Sequence, residues 1–132
     1  MTPNALMELA KDAMLRAYAP YSGFKVGAAL LCRDGTVYQG CNIENAAYGP
    51  TNCAERTALF KAVYDGHREF EAIAVCGGKD GVITDVCPPC GVCRQVMREF
   101  CGDDFRVYLA DGEDTIQTHT LAQLLPHSFP LG

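Results

Sequence analysis

The sequence has no surplus of basic residues and no long apolar run. Eleven Lys and Arg residues stand against sixteen Asp and Glu, which gives a formal net charge of -5. Binding to a phosphate backbone requires a cationic surface, so this balance argues against nucleic acid as a partner and favours a small, uncharged ligand. No apolar run approaches the roughly 20 residues that span a bilayer, so we expect no membrane association.

The first fifteen residues also lack the pattern of a secretory signal. A basic stretch followed by an apolar one is absent, and Glu8, Lys11 and Asp12 are charged. We therefore do not expect the eight cysteines to form the disulfides of a secreted scaffold. The expectation is a cytoplasmic protein with reduced thiols.

The apolar pattern predicts one α/β domain over residues 1–132. Thr2 and Pro3 open a helix whose apolar positions run from Leu6 to Ala17. Residues 72–76 are apolar and bounded by Gly77 and Gly78, as in a central strand covered on both faces. The other predicted strands are 26–32, 36–40, 106–110 and 115–118, and the later helices start near Cys53, Cys90 and Thr120.

This order of elements predicts a three-layer α/β/α sandwich. A single mixed sheet of five strands should carry helices on both faces. Asp111 and Gly112 leave too short a connection for a parallel crossover, so the last two strands should be antiparallel. The helices that begin near Cys53 and Cys90 each follow a strand and a loop, so their N-termini are expected to meet at one edge of the sheet.

Three cysteines and one carboxylate at these helix starts have the pattern of a catalytic zinc site. Cys53, Cys90 and Cys93 supply three ligands, and a catalytic zinc keeps its fourth position open for water. Glu55 lies two residues after the first ligand, where it can act as an acid and a base. Three thiolates leave the site with excess negative charge, and Arg56 and Arg94 are the expected donors to sulfur.

Two other interpretations of these cysteines stay open at this point. A Cys-x-x-Cys pair alone is also typical of a redox pair or of half a structural zinc site. Cys87 precedes Cys90 by three residues and can make a fourth thiolate ligand, which would close the site and make it structural. Against this, Pro88 and Pro89 restrict the loop, and Glu55 would have no role.

The chain resembles the small, homotetrameric cytidine deaminases of pyrimidine salvage over nearly its whole length. The resemblance is carried by Gly-Cys-Asn-Ile-Glu-Asn-Ala at 40–46, Tyr48, Cys-Ala-Glu-Arg-Thr-Ala at 53–58, Pro-Cys-Gly-Val-Cys-Arg-Gln at 89–95 and Leu-Leu-Pro-His-Ser-Phe at 124–129. The zinc signature itself follows the general pattern of the base deaminases. The resemblance implies hydrolytic deamination of cytidine and deoxycytidine to uridine and deoxyuridine with release of ammonia. It also implies one Zn²⁺ per subunit.

The resemblance assigns a role to each of the site residues. It implies zinc binding by Cys53, Cys90 and Cys93 and proton transfer by Glu55. It also implies ribose binding by Asn42 and Glu44, nucleoside contact by Phe24, a backbone contact to the pyrimidine by Ala54, and completion of neighbouring pockets by Ala46, Tyr48 and Phe129. Many relatives have Ser or Thr where this chain has Pro88, whose carbonyl can still accept a hydrogen bond from the leaving amine.

Two other kinds of function are compatible with the cysteine motifs. A deaminase of a related aminopyrimidine, or of a base within a polynucleotide, fits the zinc motif, but the acidity and the short connection at Asp111 argue against a polynucleotide. The stretch from Asn42 to Ala46 resembles the nucleoside enzymes. A non-catalytic zinc module with four thiolates is the alternative from another class. We expect no chemistry from His67, His119 and His127, or from Cys32, Cys41, Cys76 and Cys101.

Overall fold

The computed structural model describes residues 1–129, which contain one mixed sheet with helices against both faces. The elements in chain order are α1 (Pro3–Met14), β1 (Phe24–Cys32), β2 (Val37–Cys41), α2 (Ala54–Tyr64), β3 (Phe70–Lys79), α3 (Gly91–Phe100), β4 (Arg106–Ala110), β5 (Ile116–Thr120) and α4 (Leu121–Leu124). The strand order is β2-β1-β3-β4-β5, in which only β3 and β4 are parallel. The predicted fold class and the antiparallel closing hairpin are confirmed. The assignment of residues 1–132 to one domain stays a prediction.

Alternation along β1 divides the core into two layers. Ala28 and Leu30 pack with buried residues of α2 and α3, whereas Ala29 and Leu31 pack with buried residues of α1. Successive side chains of a strand point to opposite faces, so an interior strand of this kind is apolar throughout. The helices that carry the cysteine motifs therefore share one face of the sheet.

The first helix ends earlier than its apolar pattern predicts. It ends at Met14 rather than at Ala17, and Leu15 is its C-cap. The chain then turns because Tyr18 forms a bridge to Ile43, and the Tyr18 N–H donates to the Asn42 carbonyl at 3.0 Å. This tertiary contact ends the helix and lies outside any local sequence signal.

The central strand β3 is longer than predicted. Gly77 and Gly78 lie inside it rather than after it, because they continue the pairing with Val26 and Lys25 of β1. In the part of the chain that the structure describes, the longest helix is α1 with 12 residues, and no helix is long and apolar enough to cross a membrane.

Candidate metal centre and active site

The first turns of α2 and α3 bring three thiols together. Cys53 caps α2, Cys90 caps α3, and Cys93 lies in the first turn of α3. Their Sγ atoms lie within 4.8 Å of one another, with 3.7 Å between Cys53 and Cys90 and 3.4 Å between Cys90 and Cys93. Two thiolates bound at about 2.3 Å to a tetrahedral zinc ion stand roughly 3.8 Å apart, so the cluster has dimensions that fit zinc.

Close packing against β2 sets the position of α2. A Cβ atom at Gly40 would lie 2.4 Å from the Ala54 carbonyl oxygen and 2.6 Å from the Ala58 nitrogen. Only a residue without a side chain lets the helix come this near the strand. Gly40 thereby fixes the start of α2, where Cys53 and Glu55 lie, and this role is not visible in the local sequence.

Thr57 fastens the same helix start to the end of β2. Its hydroxyl lies 3.1 Å from the carbonyl oxygen of Cys41 and 3.2 Å from that of Cys53, and it accepts a hydrogen bond from Asn52 Nδ2 at 3.0 Å. The bond from a helical threonine to the carbonyl four residues earlier is a local rule that was available in the sequence. The contact to Cys41 depends on the tertiary structure.

Arg56 lies against the thiols, as its position beside Glu55 indicates. Its Nη2 donates to Cys53 Sγ at 3.3 Å, and its buried Nε has no hydrogen-bond partner among residues 1–129. A hydrogen bond from the Cys93 thiol, supported by Arg56, lowers the pKa of Cys53. The hydrogen bond to Cys53 also raises the pKa of Arg56, so Arg56 stays positively charged beside the thiolates.

The prediction that Arg94 donates to a thiolate is wrong. Its Nε donates to the Pro89 carbonyl at 2.8 Å, and its Nη1 donates to the Leu124 carbonyl at 2.7 Å. The side chain runs from α3 to the loop before that helix and to the end of α4. Arg94 therefore holds the loop before Cys90 by contacts to the main chain.

Glu55 is a buried carboxyl beside the three-thiol cluster. Only 5% of the residue is exposed, and this burial raises the pKa of Glu55 to about 7. A carboxyl with a pKa near neutrality is available as acid and as base, which is what a proton carrier requires. The helix start thus places a proton carrier next to a cluster that can hold a metal.

The carboxylate of Glu44 is held by the loop before β1. It accepts hydrogen bonds from the backbone N–H groups of Tyr21 at 3.0 Å and Ser22 at 3.1 Å, and from the Ser22 hydroxyl. The hydrogen bonds from Ser22 keep the pKa of Glu44 below its ordinary value. Glu44, Ala46 and Tyr48 line an open groove of about 380 Å³.

Asn42 joins β1 to the residues after β2. Its Oδ1 accepts from the Val26 N–H at 2.9 Å, and its Nδ2 donates to the Phe24 carbonyl at 2.9 Å. This structural task was not visible in the sequence. Ala54 is fully buried at the start of α2, whereas Tyr48 is 95% and Phe129 72% exposed in the single chain.

Five thiols lie outside the three-thiol cluster, and two of them, Cys87 and Cys32, have other potential ligands near them in sequence or in space. Cys87 Sγ does not lie within 4.8 Å of all three cluster sulfurs, so it is not a fourth member. Cys32 forms a second group with Asp34 and His67, in which His67 Nδ1 lies 3.7 Å from the Asp34 carboxylate. The sequence spacing gave no sign that His67 comes near a cysteine.

The sequence matches a known protein family over most of its length. Residues 1–109 match the family described as "Cytidine and deoxycytidylate deaminase zinc-binding region". A cytidine deaminase of Sporosarcina psychrophila is 53% identical over 98% of this chain and 92% of its own length. A cytidine deaminase of Halalkalibacterium halodurans is 52% identical over 98% of this chain and 95% of its own length.

A solved structure of a similar protein has the same fold. The crystal structure of a cytidine deaminase from Burkholderia pseudomallei superposes with a TM-score of 0.90 at 50% sequence identity, covering 98% of this chain and all of the other. The similarity therefore extends through the sheet, the helices and both cysteine motifs.

Proposed function

Because the chain belongs to the cytidine and deoxycytidylate deaminase family, we propose that it deaminates cytidine and deoxycytidine to uridine and deoxyuridine. The reaction consumes water and releases ammonia, and it depends on zinc. The observation that carries the proposal is the cluster of three thiols at two helix starts, with a buried carboxyl beside it. That pattern of three ligands and one acid/base group is the pattern of a catalytic rather than a structural zinc site.

Cys53, Cys90 and Cys93 would hold the zinc, one ion per chain. When bound, zinc lowers the pKa of a coordinated water so that a nucleophile is available at neutral pH. Arg56 would offset part of the negative charge of three thiolates, because its guanidinium donates to Cys53 Sγ. The four-thiolate structural alternative loses its support because Cys87 lies outside the cluster.

Glu55 is the proposed proton carrier. It would take a proton from the attacking water and deliver it to N3 of the pyrimidine while the water oxygen bonds to C4. It would then take the second proton and deliver it to the exocyclic amine, so that the C4–N bond breaks and ammonia leaves. Its burial supports this role, because a carboxyl with a pKa near 7 can both accept and donate.

The nucleoside would lie between β1 and the starts of the two helices. Phe24 is assigned to the face of the nucleoside, Asn42 and Glu44 to the ribose hydroxyls, and the Ala54 backbone to the pyrimidine. The fixed, ionised carboxylate of Glu44 supports its assignment, since a hydroxyl donates readily to such an acceptor. Asn42 would use the lone pair and the amide hydrogen that its bonds to β1 leave free.

We also propose a homotetramer in which Ala46, Tyr48 and Phe129 complete the pockets of neighbouring chains. The exposure of two large aromatic side chains in the single chain supports this, because such residues are enriched at interfaces. A cytoplasmic location is proposed as well, and the eight free cysteines are consistent with a reducing compartment.

Replacement of Glu55 tests the reaction. We expect Glu55→Ala to bind zinc and to melt within a few degrees of wild type, but to lose at least about 100-fold in deamination rate. Glu55→Gln is the matched control, since it keeps the shape and removes only the ionisable group. The change in ultraviolet absorbance as cytidine becomes uridine gives the rate. Equal rates in wild type and both variants would rule out the proposed mechanism.

A further inference from the structure

Cys87 is a half-buried thiol that the proposed chemistry leaves without a task. It lies in the connection between β3 and α3, three residues before Cys90, and Pro88 and Pro89 follow it. It is not a member of the three-thiol cluster, so zinc binding does not account for its position.

Those surroundings include a residue of the proposed substrate site. A Cβ atom built on Gly77 would meet Cys87 Sγ and Phe24 Cε1, each at 3.1 Å. Gly77 pairs with Val26, which packs against the core layer of α2 and α3. The thiol and the ring therefore approach the same point above Gly77, on the face of the sheet that carries the zinc ligands.

The charged groups of the site act on Cys87 as well. Burial, followed by the negative charges of Glu55 and Cys53, raises the pKa of Cys87 to about 12. The charge of Glu55 thus acts on the thiol, and the sulfur lies near the Phe24 ring above Gly77. In its neutral form such a thiol behaves as a small apolar side chain.

We propose that Cys87 forms part of the wall of the substrate pocket and limits the substituents that a pyrimidine ring can carry. The inference rests on the proposed function, which places the nucleoside against Phe24 and its pyrimidine beside Glu55. Because Cys87 Sγ and Phe24 Cε1 approach the same point above Gly77, a ring that contacts Phe24 would lie close to Cys87. The two prolines after Cys87 restrict the loop that carries it. The expected class of ligand is a pyrimidine nucleoside, with selection by size at its ring carbons.

Protection from alkylation tests the position of Cys87 without relying on turnover. The zinc-loaded wild-type protein is treated with a large excess of iodoacetamide at about pH 9, because only the thiolate fraction of Cys87 reacts. The reaction is run with and without uridine at about ten times its Kd, and peptide mass spectrometry follows modification until Cys87 of the uridine-free sample has reacted. We expect uridine to slow alkylation of Cys87 about tenfold. Cys41, a partly exposed thiol next to the Arg16 carbonyl, is the internal control and should react at the same rate in both samples. Equal rates for Cys87 would overturn the proposal.

Substitution of Cys87 tests the size limit. Cytidine is compared with cytidine methylated at ring carbon C5 or C6, in wild type, Cys87→Leu and Cys87→Ala. We expect Cys87→Leu to raise KM for cytidine more than it lowers kcat. We also expect it to reduce the kcat/KM of at least one methylated substrate, relative to that of cytidine, about tenfold or more. The alanine should shift the same ratio in the opposite direction. If both variants fold and bind zinc, and neither changes the kcat/KM of a methylated substrate relative to that of cytidine, Cys87 is not a wall of the pocket.

The two assays separate failure of this inference from failure of the proposed function. Protection of Cys87 by uridine in a protein that does not convert cytidine would overturn the proposed deaminase activity and support the place of Cys87 in the pocket wall. Conversion of cytidine with unprotected Cys87 and unchanged substrate ratios would support the deaminase and overturn the role of Cys87. The alanine variant keeps the test decisive if the leucine variant does not fold.

Discussion

Arg56 and Arg94 are chemically alike and close in the fold, but they differ in what they contact. Arg56 donates to Cys53 Sγ, whereas Arg94 donates to two main-chain carbonyls. The first contact stabilises negative charge on sulfur, and the second holds a loop and α4 in place. The difference gives each arginine a separate measurable consequence.

We expect Arg56→Ala to weaken zinc binding about 10- to 100-fold, because a partner that supports the ligands is lost. Arg94→Ala is the matched control, and it should lower the free energy of unfolding by about 1 to 3 kcal/mol with a smaller effect on zinc affinity. Competition with a chelator measures zinc affinity, and denaturant unfolding of the zinc-loaded proteins measures stability. An equal loss of zinc affinity in both variants would contradict this assignment.

Among the helices and strands, the approach of α2 to β2 determines where the site can form. The start of α2 carries Cys53 and Glu55, and its distance from the strand is set where Gly40 meets Ala54 and Ala58. A methyl group at position 40 would overlap main-chain atoms, which cannot rotate away as a side chain can. The helix start would have to move, and the cluster with it.

Gly40→Ala is therefore expected to lower the free energy of unfolding by about 1 to 3 kcal/mol and to reduce zinc affinity at the same time. Gly102→Ala is the control, because a Cβ there meets no atom within 4 Å. That variant should stay within about 0.5 kcal/mol of wild type. Thermal melting and zinc titration of both variants provide the comparison. Wild-type zinc affinity in Gly40→Ala would show that α2 does not depend on this close packing.

What could be predicted from the sequence depended on whether the signal was local. The Thr2 cap and the cysteine motifs at the starts of α2 and α3 are local features, and the structure has them where the sequence placed them. The end of α1 was missed because the bridge to Ile43 ends it, and the bond from Arg94 to the Leu124 carbonyl was missed because α4 is remote in sequence. Neither contact is encoded within a few residues of the position that it affects.

Two exposed aromatic residues link the site to the assembly of the whole protein. Tyr48 and Phe129 are largely exposed in the single chain, and they lie in or near parts of the sequence that carry the family resemblance. An isolated chain gains little from exposing them, whereas an assembly would bury them. The proposed tetramer therefore predicts that their loss affects substrate binding more than metal binding.

Phe129→Ala should raise KM for cytidine about tenfold, in line with the loss of a large apolar contact, and leave the zinc content at one ion per chain. Dilution of the wild-type protein should lower its specific activity in parallel with dissociation, followed by analytical ultracentrifugation. Phe60→Ala, which removes another partly exposed phenylalanine from α2, outside the predicted pocket, is the matched control for the kinetic effect. Unchanged KM in Phe129→Ala, or full activity of dissociated chains, would refute a pocket that neighbouring chains complete.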